Sequence, residues 1–538
     1  MGLLASLDWW VIGLYFVLIF GGAAYATWRE KKGGRETSAD YFLAGRNTGW
    51  FIVGASLFAS NIGSEHLVGL AGTGAASGVA VAQFEILASF ILLLLGWVFA
   101  AFYLRSGVYT MPEFLERRYS SGARWYLAVV SIIGYVLTKI SVTIAAGGIV
   151  FEALMGIDFW TGAMIVVIAT GLYTIFGGLR AVLITDTIQM FVLIGGSIAV
   201  LIVGLNAIGG WGELMAAVEP GTMDLWKPAD DPDFPWTGIL FGAPILGVWY
   251  WCTDQFIVQR TLAARDLREA RRGTIFAAFL KLLPLFIFVI PGVIAAVLAE
   301  RGQLTLGAPD QALPTLVATL LPVGLRGLVV AGLLAALMSS LSSVFNSTST
   351  LITWDVYKKL HPAASERRLV VVGMASTSVL VGFGLLWIPL MELISGQLYQ
   401  YIQSVQAYIA PPIAAVFLFG LFSSRINARG AMAALLTGFV LGLVRLVAEL
   451  NKAALDGALL VLASINFLHF AAILFVLCTI VLVLVSLTGP PPPREQIEGL
   501  TYQTTAKPAE APPRMSREAV LSGIVVIGIL GLWLYFSR

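Results

Sequence analysis

Charge is scarce in this chain. Its 33 Lys and Arg and 31 Asp and Glu make up 12% of 538 residues, about half the share of a soluble protein. Cysteine is scarcer: Cys252 and Cys478 lie in apolar segments, so no disulfide framework is expected. There are three histidines. His361 falls in a loop and His469 stands alone, so no cluster for a transition metal is expected. No Walker glycine loop occurs, which removes ATP as the expected energy source. The first residues lack the basic region and cleavage site of a signal peptide. A net charge of +2 gives no reason to expect nucleic acid. No soluble catalytic domain is visible. What remains is 58% hydrophobic residues and a mean hydropathy of +0.87. The expected class is an all-α polytopic membrane protein, with the lipid bilayer as its solvent.

A span needs about 20 apolar residues. Fourteen fit, near 7–28, 49–74, 79–104, 122–154, 159–178, 184–208, 238–260, 273–299, 312–355, 368–389, 395–421, 428–449, 457–487 and 519–537. The segment 312–355 exceeds one span and has room for a short outer helix, with the true span ending near Tyr357. Loop charge tests the count, because basic residues favour the cytoplasm. Odd loops are basic, among them Arg29–Arg46, Arg105–Arg124, Arg260–Arg272 and Lys358–Arg368. The even loop Asn206–Trp236 is acidic. Both termini are therefore expected outside, in a multi-pass protein of the plasma (inner) membrane. Pro490–Pro513 reads as an extended cytoplasmic linker.

Two spans are interrupted. In Ala59–Glu85, polar Ser60, Asn61, Ser64, Glu65 and His66 flank Gly63, a residue that unwinds a helix cheaply. Carbonyls freed inside a bilayer need a partner, so a broken span signals a binding site. The plain alternative is a glycine-rich packing helix. That accounts for the glycines but not for Asn61, Glu65, His66 and Glu85. In Gly242–Gln255, Pro244 removes a donor and Thr253, Asp254 and Gln255 follow. The breaks lie five spans apart. An odd separation inverts the second copy, the pattern of inverted-repeat transporters. The expected division is an extra span at 7–28, a core at 49–421 (repeats 49–208 and 238–421), two spans in 428–487, a linker at 488–517 and a last span at 519–537.

Ser-Asn-Ile-Gly-Ser-Glu-His-Leu-Val-Gly-Leu-Ala-Gly-Thr-Gly-Ala-Ala-Ser-Gly, from Ser60 to Gly78, closely resembles the signature of the sodium/glucose cotransporter branch of the sodium:solute symporters. The resemblance runs to about Leu487. It implies the leucine-transporter fold and sodium-driven symport of a sugar by alternating access, with no enzyme activity and no obligate protein partner.

The residues can be weighed beside that resemblance. Ionisable groups at membrane depth cost roughly 2.5–3.5 kcal/mol each on insertion scales. Glu85, Lys139, Asp186 and Lys281 are such groups, and Glu85 could pair with Lys281. Asn61, His66, Glu85, Lys281 and Gln403 offer the donors and acceptors that sugar hydroxyls require. Tyr250 and Trp251 offer rings for a C–H face. By resemblance, all seven contact sugar, Tyr250 is also an inner gate, and Leu70, Phe84 and Tyr399 form the outer gate. Gly247 and Ala88 lack polar groups that some members carry.

Ser339, Ser343, Asn346, Ser347 and Thr350 share one helix face by spacing. Oxygen ligands without a carboxylate suit a monovalent cation better than calcium. The alternative is that each hydroxyl bonds the preceding turn. The resemblance places a sodium site at the carbonyls of Ala59, Ile62 and Ala336 with the hydroxyls of Ser339 and Ser340. It places a second sodium at Ser60, Asp186, Ser342 and Ser343, for which a structural helix cap is the alternative. The expected function is sodium-coupled symport of a glucose- or galactose-like hexose. Myo-inositol, sialic acid, an amino acid or a vitamin are the alternative solutes, and a non-transporting solute sensor is the alternative class.

Overall fold

The computed structural model describes residues 4–32, 37–391, 398–504 and 516–537; the side chains of Glu65 and Tyr399 lie outside the described set. The described residues are mostly helical, with no strand among them. Ten helices among them are long and apolar enough to cross a membrane. The elements that position the site are α1 (Ser6–Lys32), α2 (Trp50–Asn61), α3 (Ser64–Ser77), α4 (Gln83–Leu94), α5 (Met111–Arg118), α6 (Ser121–Gly134) and α7 (Phe159–Ile208). They continue with α8 (Ala243–Gly247), α9 (Gln255–Leu262), α10 (Leu267–Leu280), α11 (Leu325–Leu351) and α12 (Glu366–Met391). The last four are α13 (Leu398–Phe422), α14 (Ala428–Leu450), α15 (Phe467–Thr488) and α16 (Arg517–Tyr535).

At 1.5 Å per residue, the 50 residues of α7 would run about 75 Å, more than twice a bilayer core of about 30 Å. Gly178, at φ 52° and ψ −154°, breaks it. A Cβ there would lie 2.5 Å from the Tyr41 carbonyl oxygen, so glycine is required twice over. The break separates the segments read as spans 159–178 and 184–208.

Helix α11 is the axis of the bundle. Every residue from Val329 to Leu351 is buried, and α7 packs along it. Lipid is as apolar as leucine, so helices at this depth associate through close packing and polar contacts. Small residues supply the close approach: a Cβ on Gly292 would lie 1.9 Å from the Ala71 carbonyl oxygen of α3. The outer faces of α1, α14, α15 and α16 carry exposed Trp10, Val440, Val476 and Leu534.

Several boundaries differ from the sequence reading. The interruption of the second broken span is at Asp254 (φ −78°, ψ 127°), not at Pro244, which sits in the first turn of α8 where no amide is needed. Segment 457–487 is two helices, Gly457–Ser464 and α15, because Asn466 caps α15 through Leu468 N. Segment 312–355 divides into Ala312–Leu320 and α11, whose helical path runs on to Tyr357. Arg260, counted above among loop cations, is fully buried in α9.

Part of the segment read as an extended linker is docked. Tyr502 N donates to Leu421 O at 2.8 Å, and Gln496 Nε2 to Tyr119 O at 2.8 Å. Residues 505–515 of that linker lie outside the described residues.

Replacing Gly292 with valine must separate α3 from the helix carrying Gly292. We expect a loss of about 1–3 kcal/mol, the usual cost of overpacking, read as a lower unfolding temperature in detergent. An unchanged temperature would show that this contact yields freely.

Candidate functional site

The first break begins at Ile62 (φ −81°, ψ 89°) and Gly63 (φ −87°, ψ 179°). In a continuous helix Gly63 N–H would bond Ala59 O. It bonds Asn61 O at 3.1 Å instead, with His66 Nδ1 at 3.4 Å. Ala59 O accepts from Ser339 Oγ of α11 at 2.8 Å, and the same hydroxyl reaches Ala336 O at 3.1 Å. Ser340 Oγ donates to Ser60 O at 3.4 Å. Ile62 is fully buried beside them. The unwound turn is therefore tied to α11 by hydroxyls. Ser347, Thr348 and Thr350 bond the preceding turn of their own helix, at 2.6, 2.7 and 2.7 Å. At the break, Ser339 and Ser340 reach the backbone of the first broken span, and Ser343 Oγ donates to Ser60 Oγ at 2.9 Å.

The second break is capped from outside its own helix. Tyr135 OH donates to Asp254 Oδ1, and Lys139 Nζ lies 3.1 Å from Oδ2. Asp254 also accepts from Phe256 N, starting α9 as an N-cap does. Tyr135 and Lys139 sit on one π-turn, Tyr135–Ile140, and Tyr250 and Trp251 on another, Val248–Thr253. Wide turns of this kind re-aim side chains and recur at functional sites.

Between the breaks lies a cavity of about 80 Å³, counted as positions open to a water centre. On that scale ~10–15 Å³ holds one water, so the space takes several. Asn61, His66, Glu85, Tyr250, Trp251 and Gln403 line it. Phe84 also lines it, stacked on Phe467 at 6.3 Å and edge-on to Phe234 at 6.1 Å. Lys281 stands behind the wall, donating to Asn61 Oδ1 and to Glu85 Oε2. It ends α10, where Pro284 three residues on blocks continuation. Asn61 Nδ2 passes the link on to Tyr250 OH at 3.0 Å. One polar chain thus joins α10, α4, α2 and the second broken span. His66 Nε2 is 3.8 Å from Glu85 Oε1. On its other side the ring meets the break, where Nδ1 accepts from Gly63 N–H.

Leu70 is fully buried in α3 and does not line the cavity; Tyr399, the third outer-gate residue, lies outside the described side chains. Ala88 and Gly247 do line it. A Cβ at Gly247 would lie 3.0 Å from Ile91 Cγ1, so this wall has no room for a polar side chain unless Ile91 moves.

The other proposed ion cluster holds a residue that the sequence reading placed in a loop. Ser56 and Ser60 donate to Asp186 Oδ2 at 2.5 and 2.9 Å. Asp186 Oδ1 is buried without a hydrogen-bond partner among the described residues. Arg260 Nε donates to Ser60 Oγ at 3.1 Å and Nη2 to Ser343 Oγ. Ser342 points elsewhere, to Ser339 O at 3.0 Å. Arg260 follows Asp254 by six residues in a short polar stretch, the one signal of its burial. Gln406 and Lys139 also line the cavity and had no assigned role. Gln406 was reachable, since it follows Gln403 by one helical turn.

The comparisons decide the family. The model of the "Sodium:solute symporter family" matches residues 41–438. This chain belongs to the sodium:solute symporter family. It is 38% identical to the human sodium/myo-inositol cotransporter, covering 95% of this chain and 78% of the relative. It is 40% identical to the sheep sodium/glucose cotransporter 1, covering 89% and 78%. A substrate-bound, outward-open Na+-coupled sialic acid symporter shares the fold at a TM-score of 0.78, with 22% identity over 90% of this chain and 99% of that one. Mhp1, a nucleobase-cation-symport-1 family transporter, shares it at 0.53, with 15% identity over 85% and 97%. The protein is a sodium-coupled solute symporter, and sodium is its coupling ion.

The buried Glu85–Lys281 pair makes a sharp expectation. Removing one partner of such a pair strands a charge at a cost of about 3–5 kcal/mol, whereas removing both is often neutral. Lys281→Met should therefore unfold early on heating, and Lys281→Met with Glu85→Gln should recover most of the lost stability without recovering uptake. A single variant as stable as wild type would show that the pair carries no such strain.

Proposed function

We propose that the protein carries a cyclic polyhydroxylated solute, a glucose- or galactose-like hexose, into the cell together with sodium. The observation that carries this is the convergence on one cavity of Asn61, His66, Glu85 and Gln403 with the rings of Tyr250 and Trp251. A buried hydroxyl left unpaired costs about 1–3 kcal/mol. A pocket offering alternating donors and acceptors around two rings therefore selects a ring rimmed with hydroxyls. Lys281 acts through Asn61 and Glu85. Myo-inositol is the second reading, since it presents the same rim and a relative's name carries it.

In this reading sodium binds at Ala59, Ile62, Ala336, Ser339 and Ser340. It replaces the Ser339 hydroxyl as partner of Ala59 O and fixes the Asn61–His66 turn in the shape that completes the cavity. Phe84, with Leu70 and Tyr399, closes from outside, and Tyr250 opens toward the inside. Coupling arises because both ligands favour one conformation. The architecture we propose is fourteen spans with both termini outside, a five-plus-five inverted repeat over 49–208 and 238–421, and flanking helices at 7–28, 428–487 and 519–537. The two breaks, at Ile62–Gly63 and Asp254, are its support.

Counterflow of labelled D-glucose, D-galactose and myo-inositol into sodium-loaded proteoliposomes tests the substrate. Exchange of none of the three would remove the polyol reading. Ser339→Ala with Ser340→Ala should abolish sodium-driven uptake; unchanged sodium dependence would move the ion elsewhere.

A second sodium at Ser60, Asp186, Ser342 and Ser343 is supported by the unpartnered Asp186 Oδ1. It requires Arg260 to turn from Ser60 and Ser343. Each ion moved down 100 mV supplies about 2.3 kcal/mol, so the count sets how far the solute is concentrated. Reversal potentials in clamped proteoliposomes should fit two sodium ions per solute, and Asp186→Asn should move the ratio toward one. A wild-type ratio of one would eliminate the second site.

A further inference from the structure

Helix α16 lies at the edge of the bundle, its side facing lipid exposed at Ile527 and Leu534. Hydrophobicity does not hold a helix to its neighbours inside a bilayer, because lipid is an equally good solvent for it. What holds α16 is a set of polar and aromatic contacts; one, Trp211 Nε1 to Tyr535 OH at 2.8 Å, lies apart, and the others fall mainly on elements that carry the Glu85–Lys281 pair or brace it.

At one end, Glu518 accepts from Arg272 Nε at 2.8 Å and Arg268 Nε at 3.3 Å, both on α10. One turn on, Ser522 Oγ accepts from Trp97 Nε1 at 3.0 Å, on the continuation of α4. Midway, a Cβ on Gly528 would lie 3.2 Å from Cδ1 of Leu282, the neighbour of Lys281. At the other end, Trp533 Nε1 donates to Gln83 Oε1 at 2.9 Å. Gln83 opens α4 two residues before Glu85 and is fully buried. Its other amide atom donates to Leu225 O at 3.3 Å, and Leu225 N donates to Phe536 O at 2.9 Å. The Trp533 ring meets Trp226 at 5.2 Å and Phe90 at 5.7 Å. The α4 N-terminus runs on from the turn Val79–Ala82, which Val79 N ties to Thr222 O at 2.9 Å, and this buried amide with its indole partner adds a side-chain anchor.

We propose that α16 is a clamp, gripping α10 and α4 together through Glu518 and Ser522 at one end and α4 through Trp533 at the other, and so sets the geometry of the Glu85–Lys281 pair, with Gln83, Trp533 and Glu518 as positioning residues. The inference rests on the reading of that pair as part of the solute site. A pair on two helices keeps its geometry only while their spacing is fixed, and α16 fixes it from outside the cavity.

Amide exchange and transport of the full chain in nanodiscs or proteoliposomes separate the clamp from a merely structural role. Trp533→Phe keeps the ring contacts and removes the indole N–H. Glu518→Arg breaks the other end, and Glu518→Arg with Arg272→Glu restores opposite charges. We expect faster exchange at 83–94 and 274–283 in both single variants. KM for D-glucose and myo-inositol should rise about fivefold, the size of one lost hydrogen bond, at an unchanged maximal rate. The charge swap should return KM toward wild type. A lower maximal rate at constant KM, or faster exchange without a KM change, would overturn the clamp. If wild type transports neither probe, the solute reading falls, and the exchange comparison alone still decides: unchanged exchange overturns the clamp.

Discussion

Backbone polar groups inside a bilayer have no water to bond, and each one left alone costs several kcal/mol. That constraint organises this molecule. Two spans give up helical hydrogen bonds at Ile62–Gly63 and at Asp254, and everything nearby answers that loss. Ser339 serves Ala59 O across the helix contact. Asp254, Tyr135 and Lys139 together cap the second break. Because the partners come from other helices, each break is stable only while those helices stay in place. A site built this way is sensitive to conformation, which is what coupling an ion to a solute requires.

The same logic explains the charges. Glu85 and Lys281 neutralise each other, yet their remaining valences run outward through Asn61 to Tyr250. A network spanning four elements reports on all of them at once. Arg260, buried between Ser60 and Ser343, brings a positive charge to the cluster that Asp186 completes. The neighbourhood of the first break is thus electrically dense inside an apolar bundle. Such density is expensive in lipid and marks function.

Much of this was legible in the chain. The paucity of charge and the apolar runs required a membrane bundle. Gly63 among polar residues marked the first break, and six of the seven residues picked as solute contacts line one cavity. The position of the second break was not legible, because proline is the louder signal although it fits harmlessly into a first turn at Pro244. Arg260 was misplaced because a basic residue at the end of an apolar run ordinarily faces the cytoplasm. The short polar stretch after Asp254 is the one local hint of its burial, and it does not name the serines on two distant helices that Arg260 meets.

The sequence by itself determined the solvent, the helical class and the stretches where helices fail, because hydropathy and backbone preference act within a few residues. Only the tertiary structure decided which oxygens meet across a break. It put Lys281 behind the cavity wall rather than in it, turned Ser347 and Thr350 of the serine face back onto their own helix while Ser339 and Ser343 reach α2, and laid α16 against the helices of the Glu85–Lys281 pair. Those outcomes depend on contacts between residues as many as 450 positions apart, as Trp533 and Gln83 are. Only packing fixes such contacts, because no local preference extends that far.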